Sequence, residues 1–197
     1  MAKISFKPGN MLYPLPVVMV TVADLAGSTN IITVAWAGTV CTNPPMASIS
    51  VRPSRYSYHM LKETGEFVIN LTTSALTRAA DYCGVKSGRD VDKWKETKLT
   101  PVKSDIVKAP CIAQSPVNIE CIVVQTEQLG SHDLFLAKVV AVHADEQYMD
   151  EKGSFHLENA NPVVYSHGGY YDLGSKVGKF GYSVQRGGRR RSATSKA

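Results

Sequence analysis

No stretch of this chain stays apolar for anything near the roughly 20 residues a membrane helix needs. The apolar run Val17 to Ala23 is far too short. The first residues, Met-Ala-Lys-Ile-Ser-Phe-Lys, lack the apolar core and small-residue cleavage site of a secretory signal. Both absences set the expectation of a soluble cytoplasmic protein that makes no membrane contact. Cysteine is scarce: the four residues Cys41, Cys83, Cys111 and Cys121 show no C-x-x-C spacing, and no two histidines sit at a close ligand offset. A zinc motif local in sequence is therefore excluded. A disulfide scaffold does not suit a chain of 197 residues with so little cysteine. Buried free thiols are the ordinary expectation. A metal site would need distant residues to converge.

Nucleotide-binding motifs are missing too. No G-x-G-x-x-G follows a strand and opens a helix, so a Rossmann site is not supported, and no G-x-x-x-x-G-K-[ST] occurs. Ser131-His132-Asp133 holds the residue types of a hydrolase triad, but adjacent residues cannot face one another as a triad must. The net charge of +5 says little about the body of the chain. Five of its 22 cations, Arg186, Arg189, Arg190, Arg191 and Lys196, lie in the last stretch with no acid beside them, and the remainder balances 17 acids. Such a tail can touch nucleic acid. No aromatic is interleaved with these arginines, so a disordered terminus at 185–197 is expected and nucleic acid is not an expected partner. The domain proper is placed at 1–184.

The most informative stretch is Ser50 to His59, read Ser-Val-Arg-Pro-Ser-Arg-Tyr-Ser-Tyr-His. A strand over Met46 to Val51 ends at Pro53, which has no N–H for a ladder. A short helix from Tyr56 to Thr64 follows, closed by Gly65. A strand that turns into a helix N-terminus makes a ready anion site, and Arg52, Arg55, Ser54 and Ser57 carry donors suited to phosphate. An ordinary N-cap with two solvated arginines fits the same residues.

Elsewhere the chain reads as hairpins. Residues 17–36 pair around a turn at Asp24 to Ser28. Phe67 to Asn70 is a short strand, and a second helix runs from Thr72 or Thr73 through Tyr82, stopped at Gly84. Val85 to Lys95 is a polar loop, and Pro101 to Pro116 is mostly irregular. Val117 to Leu129 and Leu134 to His143 form a long hairpin. A last hairpin joins Val163 to Tyr165 with Tyr170 to Leu173 through Gly168-Gly169. Strands in hairpins with a few short helices predict a mainly β, antiparallel, Greek-key-like barrel.

Several stretches, taken in order, resemble the flavin reductase-like family, in particular its flavoredoxin branch. They are Asn30 to Trp36, Ser50 to Tyr58, Gly65 to Leu71, Asp81 to Gly84, Ser87 to Lys93, Gly130 to Phe135, Tyr170-Tyr171, Leu173-Gly174 and Gly178 to Gly181. The resemblance implies an FMN-binding split barrel working as a homodimer, with one FMN held non-covalently near the interface. Arg52, Ser54, Arg55, Tyr56, Ser57 and the helix N-terminus then become a phosphate cradle. Lys93 looks like a family residue that joins it, where otherwise it would be a solvated loop lysine. Asn30 and Thr33 are expected at the pyrimidine edge of the ring, and Ala35 offers backbone contacts and a small side chain. Trp36 is expected as a pocket wall, His132 as an N–H donor to the reduced ring, and Tyr165 as an aromatic beside it. No catalytic acid or base is named, because the cofactor carries the electrons. The implied activity is electron transfer from NAD(P)H through FMN to free flavin, ferric iron or a partner protein. A non-enzymatic FMN carrier between redox proteins is the alternative.

Overall fold

The computed structural model describes residues 1–184; the basic tail expected at 185–197 lies outside the described residues. Among the described residues twelve strands and three α-helices follow in order. The strands are β1 Leu15–Pro16, β2 Val18–Ala23, β3 Thr29–Val34, β4 Ala37–Cys41, β5 Met46–Val51 and β6 Glu66–Leu71. Then come β7 Pro101–Val102, β8 Cys111–Ile112, β9 Val117–Gln128, β10 Asp133–Ala144, β11 Val163–Ser166 and β12 Gly169–Asp172. The helices are α1 Ser57–Thr64, α2 Thr77–Val85 and α3 Lys93–Thr97. No helix among the described residues is long and apolar enough to cross a membrane.

Seven strands form one antiparallel sheet in the order β3-β2-β6-β9-β10-β5-β4. Its two edge strands, β3 and β4, are consecutive in sequence and joined by the bend Ala35-Trp36. The chain thus steps from one edge of the sheet to the other within two residues, and the sheet curls into a barrel split at that seam. A hydrogen bond from Ser50 N to the Trp36 carbonyl, 2.8 Å, carries the β4–β5 ladder up to this bend. This is the expected split barrel.

The curl follows from which faces are apolar. β2 is buried at every position. Its Val18, Val20 and Val22 join Ile32, Ile49, Phe67, Cys121 and Phe135 inside the barrel. On its other face Met19 packs with Ile31, Leu76, Ala80 and Cys83 under α2. Cover on both faces explains a continuous β-branched run where a half-exposed strand would alternate. α1 ends as predicted: Gly65 takes the left-handed conformation at φ 66° and its N–H donates to the Leu61 carbonyl.

Three local expectations shift. α2 does not stop at Gly84 but runs through it to Val85. A Cβ on Gly84 would meet Thr33 Cβ at 3.3 Å, so this glycine serves close helix–strand packing. The loop expected over Val85 to Lys95 ends early, because Asp92 caps α3 by accepting from Lys95 N. The last hairpin turns at His167-Gly168, one residue before the expected pair, with φ 47° and 85°. Positive φ at both central residues is what a two-residue hairpin turn of the favoured twist demands.

Phe135 is fully buried in the barrel core, so Phe135→Ala is expected to cost about 3–5 kcal/mol. Urea unfolding of the two proteins side by side measures this.

Candidate functional site

Two adjoining cavities open at the barrel seam. The smaller, of about 220 Å³, is walled by the β5–α1 turn, by α2 and by the loop after it. Arg52, Arg55, Lys86, Arg89 and Lys93 all face it, together with Ser54, Tyr56, Ser57 and Asn30, and no acid lines it. None of these five cations is ion-paired with a carboxylate among the described residues.

Lys93 is the decisive member. The sequence alone favours a solvated lysine, yet its side chain is only 4% exposed. Its Nζ donates to the carbonyls of Ile31 and Cys83, each at 2.7 Å. Burial pulls its pKa down to about 8; Cys83 opposes this in part, and the Arg55 charge adds a lesser push in the direction of burial. Buried ammonium groups are costly unless paired. Here two of three protons meet carbonyls and the charge itself has no counter-ion in the protein. A buried cation without a counter-ion attracts an anion that enters the cavity.

The hydroxyls are arranged around the same cavity. Ser57, 1% exposed at the first turn of α1, accepts from Asn30 Nδ2 at 2.7 Å. Its own proton is thereby free to point into the cavity. Tyr56, not a side-chain cap, precedes α1 in helical conformation. Arg89 lies 5.8 Å from the centroid of its ring. Gly88 backs against Asn30 so closely that a Cβ would lie 2.4 Å from Asn30 Oδ1. The loop over Ser87 to Arg89 can follow this path only with glycine at its centre.

The larger cavity, about 590 Å³, is a cleft along the seam. Thr33, Ala35 and Trp36 line one side, Arg52, Arg55 and His132 another, and Tyr165 and Tyr170 a third. Trp36 is 38% exposed, so it is a wall and not core packing. Its ring lies parallel to that of His132, centroids 6.1 Å apart. Burial, and then the Arg52 and Arg55 charges, hold the His132 imidazole below its usual pKa. Arg52 Nε donates to His132 Nε2 at 3.4 Å, and His132 Nδ1 lies 2.9 Å from Ser131 Oγ. These partners place the imidazole proton on Nδ1, against Ser131. At this edge of the cleft Arg52 stands beside His132, the residue expected from the resemblance as an N–H donor.

Most of the predicted site residues converge on these two cavities, with two changes of role. Asn30, expected with the ring, lines the cation-rich cavity instead. Thr33 lines the cleft, but its hydroxyl donates to the Ala80 carbonyl and so holds α2 to β3. Asp81, Lys86, Arg89, Ser131 and Tyr170 also line the cavities and are absent from the sequence expectation. Tyr170 Oη donates to Asp81 Oδ1 at 3.0 Å, and burial with this contact pushes its pKa up to about 12. The only sequence signal for these residues is that several fall in the resembling stretches.

A curled antiparallel barrel carries at its seam a cation-lined cavity that opens into an aromatic-walled cleft. The chain belongs to the family of the flavin reductase like domain, which matches residues 10–174. A protein of Aeropyrum pernix is 31% identical over 156 residues, 79% of this chain, which spans 58% of that relative's length. Flavoredoxin of Desulfovibrio vulgaris (Miyazaki F) superposes with a TM-score of 0.87 at 30% identity, over 93% of this chain and 100% of that one. Flavoredoxin from Methanosarcina acetivorans gives 0.84 at 28% identity, over 94% and 100%. Family membership supports a flavin as the cofactor class and redox chemistry as the class of function.

The depressed Lys93 pKa fixes a pH dependence. Below about 8 the lysine is protonated in both folded and unfolded chains, and the burial cost is fully present. Between about 8 and the unfolded value, roughly 10.4, the unfolded chain binds more protons, so stability rises with pH. Flavin-free wild type is expected to gain stability relative to Lys93→Met as pH rises across that window, read from paired urea titrations. Parallel pH profiles would remove the buried cation from the account.

Proposed function

We propose that this chain is an FMN-binding flavoprotein of the flavin reductase or flavoredoxin type. In this reading it transfers electrons from NAD(P)H through bound FMN to an acceptor. The observation that carries it is the cavity of five cations and no acids, centred on buried Lys93, opening into the seam cleft. A terminal phosphate carries close to two negative charges at neutral pH. That is the counter-ion Lys93 lacks, with Arg52 and Arg55 as forked donors and the hydroxyls of Ser54 and Ser57 beside them. FMN offers such a phosphate at the end of a flexible chain, and the cleft beside it has the aromatic walls a flat ring needs.

When bound, the flavin supplies reversible hydride and single-electron transfer. The residues of this chain supply binding and electrostatics. Lys93 and the arginines anchor the anionic end. Trp36 and Tyr165 bound the cleft and keep water from part of it. Arg52, braced by neutral His132, places a fixed positive charge at the cleft where reduction adds negative charge. No side chain needs to act as acid or base.

A homodimer belongs to the same proposal. Ile122, Val124 and Val142 are exposed on the β9–β10 hairpin, and a second copy is the expected cover. Sedimentation at micromolar concentration should report twice the chain mass.

The experiment for the function is a spectrum after adding FMN and desalting, followed by anaerobic NADH or NADPH. Retained flavin bands that bleach with one nucleotide establish the reductase. Retained bands indifferent to both nucleotides favour the carrier. Loss of all flavin, with no turnover of added flavin, overturns the assignment. Arg55→Ala, on the exposed turn, should weaken FMN binding by about 1.5–3 kcal/mol, the range of a charge-assisted hydrogen bond. Riboflavin, which lacks the phosphate, should bind wild type and variant alike. Flavin fluorescence quenching measures both affinities, and an equal loss for both ligands would place Arg55 away from the phosphate.

A further inference from the structure

On the outside of the barrel, away from the seam, a second set of chemical groups converges. Cys121 packs inside the barrel, so its neighbour Glu120 on β9 faces outward, beneath the segment between β7 and β8. Glu120 is fully buried. Its Oε1 accepts from Asp105 N at 2.8 Å, and its Oε2 accepts from the N–H groups of Ile106 and Val107 at 2.7 and 3.0 Å. His143 Nε2, from β10, lies 2.7 Å from Oε1. Cys111, from β8, is 5% exposed, and its thiol, the His143 ring nitrogen and a Glu120 oxygen all lie within 4.8 Å of one another. The Asp105 carboxylate Oδ2 is 4.0 Å from His143 Nε2 on the solvent side.

We propose that Cys111, Glu120 and His143, completed by Asp105, bind a divalent transition-metal ion of the zinc type. Sulfur, imidazole nitrogen and carboxylate oxygen are the donors such a borderline ion takes, and no cluster local in sequence announces them. A carboxylate that only anchored the overlying segment would account for Glu120 and His143. The thiol packs with Val68, Val107 and Ala109 and lies 3.4 Å from Ser104 Oγ, and it is held within 4.8 Å of both other donors. The three backbone N–H groups fix the Glu120 carboxylate in advance, as supporting hydrogen bonds fix metal ligands generally.

Geometry asks for local side-chain movement. The thiol must close in from within 4.8 Å of the other donors, and the exposed Asp105 carboxylate, which lies outside that group of three, must swing onto it from the solvent side. Ligand distances of roughly 2.0 Å to nitrogen and oxygen require the two atoms to stand about 3.3 Å apart in a tetrahedral site. The His143–Glu120 contact must therefore open by a fraction of an ångström, which rotation of the half-exposed imidazole supplies. On binding, the ion forms bonds to Cys111 Sγ, His143 Nε2, one Glu120 oxygen and Asp105 Oδ2. The thiol proton leaves to solvent, the imidazole gives up its Nε2 proton and keeps one on Nδ1 by exchange with solvent, and no electron changes hands. Four protein ligands close the coordination sphere, so the ion is structural. It pins the segment over Ser104 to Cys111 onto the β9–β10 hairpin. None of these residues lines the cavities at the seam.

The test uses full-length protein stripped with a chelator and titrated with Co²⁺ alone, read as a difference spectrum. One Co²⁺ per chain is expected, with thiolate-to-cobalt charge-transfer absorption, intense four-coordinate visible bands, and displacement of both by added Zn²⁺. Cys111→Ser should abolish the charge-transfer band while FMN binding persists, which shows that the variant is folded. His143→Gln should weaken Co²⁺ binding at least about tenfold, the floor set by losing even a supporting partner of a ligand. Absence of the charge-transfer band overturns the proposal. So does a band that survives Cys111→Ser, since it then comes from Cys41, Cys83 or Cys121. Equal affinity in His143→Gln and wild type overturns it as well.

Discussion

The Lys93 ammonium, driven between the carbonyls of Ile31 and Cys83, is the contact on which the rest of the site depends. It joins three elements at once: β3 through Ile31, α2 through Cys83, and α3, which Lys93 itself opens. Those elements, with the β5–α1 turn, are the walls of the cation-lined cavity. The same burial that fixes the wall geometry leaves a positive charge poorly solvated. Architecture and electrostatics are thus one feature. A chain that tolerated a surface lysine here would lose both the α3 anchor and the pull on an anion.

The seam is the second constraint. Ala35-Trp36 carries the chain from β3 to β4, and so from one edge of the sheet to the other. Backbone near a seam has polar groups not used up by a ladder. A cleft there can offer them to a ligand without breaking the sheet. Only a short, bent connection keeps both edges close enough to share one cavity. Trp36, on that bend, then stands half-exposed as a wall, while the packed core lies behind Ile32 and Val34.

What could be read in the sequence was what local chemistry decides. Met46–Val51 and the long β9–β10 hairpin were legible because β-branched periodicity and turn residues act over a few positions. The pairing of Arg52 with Arg55 beside a helix start was legible for the same reason, and the family resemblance extended it to Lys93. Gly84 misled because a glycine needed for close packing against Thr33 looks, in one dimension, like a helix stop. α3 was hidden because a five-residue helix has little propensity of its own and exists through its Asp92 cap and the burial of Lys93. Lys86, Arg89 and Asp81 reach the cavities by tertiary folding, and no spacing announces that. The same holds for Cys111, Glu120 and His143, which come from three strands.

The two cavities divide the work of binding in a way that bears on the proposed redox role. A strong, charge-based grip at the phosphate end is indifferent to the oxidation state of a ring lying elsewhere in the cleft. The ring environment is set by the aromatic walls and by Arg52 against neutral His132, Arg52 being the one of these that borders both cavities. Affinity concentrated in the ring contacts would differ between oxidised and reduced forms, and the cofactor would be shed in one of them. Holding the cofactor by its tail adds the same affinity to both forms, so both stay bound while the ring contacts set the difference between them. It also leaves the cleft open enough for a donor and an acceptor to approach in turn. For this reason the acid-free cation cavity, more than any residue at the ring, is the feature on which the proposed electron-transfer role rests.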